Sequence, residues 1–317
     1  MRALHWNGQV LKLEADHAPP ELIESMALVR VRLAGICSTD LQILKGYMGF
    51  RGVPGHEFVG EVCEGPSGLL GKRVVGEINF ACGRCAYCFQ GLARHCADRR
   101  VMGILGADGT FAEYVAVPAG NLHPVPDGLD DESAVFTEPL AAAFEILEQV
   151  QIKPSDKVFV LGDGKLGLLC AQVLHAAGAQ VTLVGKHLKK LTIARQLGIP
   201  VSLIDEFQPS RADVVVEATG STAGLTMALS LVRPRGTLVL KSTVAEPHTI
   251  SLATLVVNEI YVVGSRCGLF SPALRALSSR AISVAPLIDQ VYSLADGVEA
   301  AAHAARPGAL KILLRCS

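Results

Sequence analysis

Lys157-Val158-Phe159-Val160-Leu161-Gly162-Asp163-Gly164-Lys165-Leu166-Gly167 is an apolar strand pattern that runs into a glycine-rich turn and then into an amphipathic stretch carrying Leu169, Val173 and Leu174. A G-x-G-x-x-G spacing on its own is weak evidence, but between a strand and a helix it acquires a mechanism. Gly162 permits the tight turn, Gly164 lets the backbone approach a pyrophosphate, and Gly167 lets the helix pack on the strand. Lys165 and Leu166 open that helix, whose free amides suit an anion. A purely structural glycine turn is the plain alternative, and the flanking elements favour dinucleotide binding.

Outward from this turn the same alternation continues. A helix is predicted near Ala141–Val150, a strand at Lys157–Leu161, a helix over Lys165–Ala177 and a strand at Gln180–Val184. Further apolar runs at Ala212–Glu217, Thr237–Lys241 and Ile260–Gly264, with helical stretches such as Ala223–Val232 between, predict a doubly wound parallel sheet. Residues 1 to about 135 have another texture, dense in Gly and Pro with short alternating runs at Ala27–Leu33 and Glu57–Cys63. That pattern predicts antiparallel strands.

The end of the second strand bears on which dinucleotide is taken. An acidic side chain there would bind the ribose hydroxyls of NAD and repel an added phosphate. The strand instead closes as Val184-Gly185-Lys186-His187-Leu188-Lys189-Lys190, with Gly185 at the expected acidic position. Lys186 and His187 can pair with a 2′-phosphate, which predicts NADP(H) over NAD(H). Ordinary surface lysines at a solvated helix start are the other reading.

Cys82, Cys85, Cys88 and Cys96 stand at C-x2-C-x2-C-x7-C spacing, with Gly83 and Gly91 to relieve the turns. Four thiolates from one short lobe make a closed structural zinc site, and an iron–sulfur cluster takes the same ligand type. Disulfides belong to oxidising compartments, and Met1-Arg2-Ala3-Leu4-His5-Trp6 is not a secretory signal, so a cytoplasmic, reduced protein is expected. Cys63, Cys170, Cys267 and Cys316 read as small buried hydrophobes. Half of the 317 residues are apolar, yet no run is long enough to span a bilayer. The net charge of −1, with both signs interspersed, offers no basic stripe for nucleic acid. A small-molecule substrate is expected, with neither nucleic acid nor membrane as partner.

Three scattered segments complete the reading: Gly35-Ile36-Cys37-Ser38-Thr39-Asp40, Gly55-His56-Glu57-Phe58-Val59-Gly60 and Thr137-Glu138-Pro139-Leu140. With the cysteine lobe and the glycine turn they resemble, in the same order and over nearly the whole chain, the zinc-containing medium-chain alcohol dehydrogenases. The resemblance is to the polyol, glucose and threonine dehydrogenase branch, where Glu-Pro-Leu replaces a second cysteine.

It implies a GroES-like, mostly antiparallel catalytic domain over residues 1–140 and 280–317, with a Rossmann nucleotide domain, 141–279, inserted. It implies a catalytic zinc held by Cys37, His56 and Glu138 with an open fourth position, so two zincs per chain, and Glu57 beside the metal as support or alternate ligand. Asp40 would orient a ligand, Thr39 would pass on the alcohol proton, and Lys311 would reach the coenzyme pyrophosphate. Gln42 stands where relatives often carry a histidine, so the proton path beyond Thr39 changes. Pro66 stands in a shortened glycine-rich connection.

Hydride transfer between a secondary alcohol, polyol or sugar and the nicotinamide is the reaction implied. Loops after sheet strands, including Thr219 and Arg266, would line the nicotinamide side. An apolar edge strand near Ile260–Gly264 suggests a homodimer or homotetramer. A zinc-independent NADPH quinone or enoyl reductase and a non-catalytic NADPH-binding protein are the alternatives, and the Cys37, His56 and Glu138 set weighs against both.

Overall fold

The computed structural model describes residues 1–243 and 250–317 of the chain. Two compact units form, one from Met1–Glu138 with Ile288–Ser317 and the other from Pro139–Leu287. The chain returns to the first unit at Ile288 rather than near 280, after the helix Phe270–Ser278, which buries Phe270, Ala273, Leu274 and Leu277 within the second unit.

In the second unit six strands are numbered here as β1 (Lys157–Leu161), β2 (Gln180–Gly185), β3 (Val201–Leu203), β4 (Ala212–Glu217), β5 (Val232–Leu240) and β6 (Tyr261–Gly264). All pairings are parallel, and the spatial order is β3-β2-β1-β4-β5-β6. That order reverses between β1 and β4, and ligands of such sheets bind outside the carboxyl ends of the strands at this reversal.

Helix α1 (Lys165–Ala176) follows β1, α2 (Leu188–Gln196) follows β2, and α3 (Thr222–Leu231) follows β4. The Gly224 amide donates to Ser221 Oγ at 3.1 Å, which caps α3. Phe159, Leu161, Val184, Val215, Leu229, Leu231 and Leu238 form one buried cluster, each worth roughly 1.5–3 kcal/mol if a full side chain leaves water. The short β3 was not anticipated, and the helix expected to reach Val232 ends one residue earlier because Val232 opens β5.

The first unit is built on a seven-stranded sheet. Its path runs Leu122–Pro124, Arg73–Gly76, Glu57–Glu64, Met26–Gly35, Lys311–Arg315, Ile288–Ser293, with Tyr114–Pro118 also paired to Met26–Gly35. Only the last two strands of the path run parallel. Met26–Gly35 is central because its alternation buries Ala27, Val29, Val31 and Leu33 on one side. Its end lies between the start of Glu57–Glu64, where Gly35 pairs with Glu57, and Lys311–Arg315, where Gly35 pairs with Leu313. Three strand termini therefore deliver their flanking residues to one place. No helix among the described residues is long and apolar enough to cross a membrane.

Candidate active site

Cys37 leaves the central strand and caps the short helix Ser38–Ile43. Its sulfur accepts the Thr39 amide at 3.5 Å, while the Cys37 amide donates to Asp40 Oδ2 at 2.7 Å. The other carboxylate oxygen, Asp40 Oδ1, lies 3.1 Å from His56 Nδ1. These two atoms attract as charges without the alignment of a hydrogen bond. Asp40 thus holds both Cys37 and His56, and it leaves His56 Nε2 to face a ligand.

Glu57 begins the next strand and is 1 % exposed. A Cβ on Gly35 would lie 2.4 Å from Glu57 Oε2, so only glycine at 35 leaves room for this carboxylate. Glu57 Oε2 pairs with the Lys311 ammonium, also 1 % exposed, whose charge lies 5.6 Å from the Phe136 ring centre. Glu57 Oε1 is buried with no hydrogen-bond partner among the described residues.

The electrostatics of this pocket favour a cation. Burial opposes charge on His56, yet the Asp40 carboxylate and Cys37 push its pKa well above the usual imidazole value. The same negative surroundings that draw a proton to the ring draw a metal ion to the site. Burial likewise opposes charge on Lys311, while Glu57 and Cys37 hold its pKa above the ordinary amine value.

Ligand atoms of Cys37, His56 and Glu57 lie within 4.8 Å of one another. A sulfur, an imidazole nitrogen and a carboxylate oxygen suit zinc, and an otherwise orphaned Glu57 Oε1 supplies what such an ion needs. The residues present fit the group. Glu138 is not in this close set; it sits in the first turn of Thr137–Gln149, near enough to act on the charge of Lys311.

The cysteine lobe is a second cluster, and Cys82, Cys85, Cys88 and Cys96 again lie within 4.8 Å of one another. Cys85 Sγ is 3.5 Å from Cys88 Sγ and 3.8 Å from Cys96 Sγ. Four sulfurs about 2.3 Å from a zinc ion stand roughly 3.8 Å apart, so the spacing matches a tetrahedron. All four thiols are free. The Cys88 amide draws the Cys85 thiol down to about 6, while burial and the neighbouring Cys85 sulfur hold Cys88 up at about 11. Protons are shared unevenly in a set of this kind until a cation displaces them.

In the nucleotide unit, Gly162 has φ +114°, and its amide donates to Val184 O at 2.8 Å. A Cβ on Gly167 would lie 1.9 Å from Gly162 O, so the helix can approach the turn this closely only without a side chain there. Space beside Gly164 is open, which leaves the start of α1 clear for an anion.

The match to known proteins follows the same two units. Residues 24–127 match the alcohol dehydrogenase GroES-like domain, and residues 166–281 match the zinc-binding dehydrogenase domain. A sorbitol dehydrogenase of Halalkalibacterium halodurans is 32 % identical over 90 % of this chain and 90 % of its own. The chain belongs to the zinc-binding alcohol dehydrogenase family. Its fold is shared by a zinc-binding dehydrogenase of Sinorhizobium meliloti 1021 solved with NADP, at 28 % identity and a TM-score of 0.90 over 99 % of this chain and 98 % of the other. An alcohol dehydrogenase of Escherichia coli CFT073 solved with NADH gives 25 % identity and a TM-score of 0.88 over 99 % of each chain.

Several of the predicted site residues of this dehydrogenase have defined partners. Lys311 is enclosed, and its ammonium pairs with Glu57. Glu57, expected beside the metal as support or alternate ligand, stands in the close set with Cys37 and His56. His187 is not a free cation: its amide donates to Asp163 Oδ2 at 2.6 Å and its Nδ1 lies 3.0 Å from the same oxygen. An acidic group therefore stands at the end of β2 after all, supplied by Asp163 from the glycine turn. Lys186 is exposed, and its amide also donates to Asp163, at 2.7 Å.

Other positions are settled more simply. Lys165 and Leu166 are half-buried at the start of α1. Thr219 is exposed after β4, and its hydroxyl and amide donate to Glu217 Oε1 at 2.5 and 2.7 Å. Arg266 O accepts the Lys241 ammonium at 3.1 Å. That lysine, 6 % exposed at the carboxyl end of β5, also donates to Ala142 O at 2.6 Å and Ser265 Oγ at 3.1 Å. Sequence reading missed Lys241 because it ended an apolar strand, and its polar position there was the available signal.

Proposed function

We propose that this dehydrogenase oxidises a secondary alcohol of the polyol or sugar class, or reduces the matching carbonyl, with NADP(H) preferred over NAD(H) and with one catalytic and one structural zinc per chain. The observation that carries the reading is the convergence of Cys37, His56 and Glu57 on one buried strand end, with Glu57 Oε1 left without a hydrogen-bond partner among the described residues. The sorbitol dehydrogenase relative supports the substrate class. An NADP-bound neighbour and the Lys186–His187 pair support the coenzyme preference.

Cys37, His56 and Glu57 would hold the catalytic ion, with Glu138 as the exchange ligand beside Lys311. When bound, the ion supplies Lewis acidity that makes an alcohol easier to deprotonate at neutral pH. Asp40 keeps Cys37 and His56 in register, and Lys311 pairs with Glu57 and restrains it. Thr39, two residues past Cys37 and half-buried, is assigned to accept the alcohol proton. Gln42 does not titrate, so a side chain at 42 would not carry the proton onward from Thr39. Gly162, Gly164, Gly167, Lys165 and Leu166 would cradle the pyrophosphate, with Gly185, Lys186 and His187 at the adenosine ribose and Thr219 and Arg266 toward the nicotinamide.

Homodimers would form through the free edge of β6, where Tyr261 and Val262 are 60 and 42 % exposed. Val262→Lys would then shift the sedimentation coefficient to that of a monomer; an unchanged value counts against the edge. The reading as a whole is tested by metal analysis together with coenzyme absorbance across sorbitol, arabitol, butanediol and threonine with both nicotinamides. Two zincs per chain and turnover of a polyol are expected. A single zinc, or turnover that survives in Cys37→Ala, would overturn it.

A further inference from the structure

We propose that Asp163 is a positioning residue for coenzyme selection, holding His187 so that its Nε2 meets the 2′-phosphate of NADP(H). This rests on the NADP(H) reading given above and adds to it a residue from the glycine turn itself.

The geometry is unusual for its place in the chain. Parallel pairing sets Leu161 beside Val184, so the residue after Gly162 reaches over the end of β2. Asp163 is 7 % exposed there. Its Oδ2 accepts the Lys186 amide at 2.7 Å and the His187 amide at 2.6 Å, and His187 Nδ1 lies 3.0 Å from Oδ2 and 3.1 Å from Oδ1. A carboxylate can only accept, so Nδ1 is the donor and Nε2 is the nitrogen available to a ligand. The His187 side chain is 45 % exposed, as a ligand-facing group at a surface crevice must be.

Gly185 makes the arrangement exclusive. A Cβ at that position would lie 2.5 Å from Asp163 Cβ and 2.6 Å from Oδ2. The acidic side chain that selects NAD from the end of β2 therefore cannot coexist with Asp163 in its place. An unengaged carboxylate here would repel a phosphate. This one is bound by two amides at the start of α2 and by the imidazole, so its charge is turned into an anchor for a donor ring.

The contact itself needs one proton between Nε2 and a phosphate oxygen. Either the imidazole or the phosphate, whose second pKa is about 6, can bring it. Exposed Lys186 adds a cation one residue away. Each part has its role: Gly185 makes room, Asp163 orients, His187 reads the phosphate.

The test is a fluorescence titration of NADPH and NADH against the full chain as wild type, Asp163→Asn, His187→Gln and the double variant, with 2′,5′-ADP and 5′-ADP as competitors. Asparagine keeps an oxygen for the two amides but loses the charge that holds the ring. Wild type is expected to bind NADPH at least about tenfold more tightly than NADH, and each single variant to lose about tenfold for NADPH with less than about twofold change for NADH, on the scale of one charge-assisted contact. The double variant is expected to match His187→Gln, since Asp163 acts through the ring.

Equal weakening of both coenzymes in Asp163→Asn would assign it to the turn alone and overturn the proposal, as would unchanged or tighter NADPH binding. Wild type that favours NADH overturns the coenzyme reading and the proposal together. Wild type that favours NADPH with selectivity intact in the variants overturns the proposal only. If Asp163→Asn fails to fold, His187→Gln, altering an exposed side chain, decides by the same criterion: unchanged selectivity rejects the proposal.

Discussion

Cys82, Cys85, Cys88 and Cys96 come from one short segment bearing a single ligand type, whereas Cys37, His56, Glu57 and Lys311 are gathered from three distant segments, and the first three offer sulfur, nitrogen and oxygen. The lobe is held by its own turns, with Gly83 and Gly91 at φ +72° and +74°. The buried site is held by a sheet, since Gly35 pairs with both Glu57 and Leu313. The lobe is closed by sulfur on all four sides, which suits structure. The buried site mixes hard and soft donors and keeps an uncommitted oxygen, which suits exchange of ligands during turnover. Local construction gives a metal site a job in folding; distributed construction gives it one in chemistry.

The sharpest way to break that contrast is to remove one sulfur from each cluster. Cys37→Ser should lower kcat/KM at least about a thousandfold, near 4 kcal/mol of barrier, while Tm moves by only a few degrees. Steady-state rates and calorimetry on one preparation check both halves, and a large fall in Tm would erase the distinction. Lys311→Met comes next, because it strands the Glu57 carboxylate in the interior. About 3–5 kcal/mol of stability should be lost, and Glu57→Gln in the same chain should restore much of it in denaturant titrations. Additive losses would mean that the two groups do not act as a pair.

Cys96→Ser, at the buried corner of the lobe, should remove one zinc and about 2–3 kcal/mol, a fall in Tm of roughly 4–12 °C. The kcat measured below the new transition should stay within about threefold of wild type, and a loss as deep as that of Cys37→Ser would make both clusters catalytic.

The smallest effect comes from a carboxylate of the second unit, outside both clusters. Burial works against the charge of Asp213, but the Arg233 guanidinium and the Lys157 amide hold its pKa below 3.8. With the folded value below the unfolded one, its stabilisation is present above about pH 3.8 and fades as pH falls through the folded value. Asp213→Asn should flatten the acid limb of the stability curve by under about 1 kcal/mol, since the pair is partly exposed. A steeper acid limb in the variant would reverse the sign.

Much of this architecture was legible because its signals are local. The alternation after Leu140 carries the parallel sheet, and the C-x2-C-x2-C-x7-C spacing carries the lobe. Cys37 and His56 were found through resemblance, since a lone cysteine and a lone histidine have no spacing to announce them. What escaped depends on strand pairing. The Glu57–Lys311 pair forms because Glu57 opens a strand paired to Gly35, whose other neighbour is the strand begun by Lys311. Lys311 was placed on the pyrophosphate by resemblance, and its pairing with Glu57 emerges only from the assembled sheet. Asp163 carried no assignment in the glycine turn, and only the register of β1 on β2 brings it to His187.

The parallel final pair of strands in the first unit has a consequence for synthesis. The strand Lys311–Arg315, which inserts between Met26–Gly35 and Ile288–Ser293, leaves the ribosome after the entire nucleotide-binding unit. Until it emerges, the centre of the first sheet has an open slot and Glu57 has no counterion, so the nucleotide unit can mature on the nascent chain while the unit that began first must wait. The first unit is thus a template held in reserve, completed by a strand synthesised after the nucleotide unit.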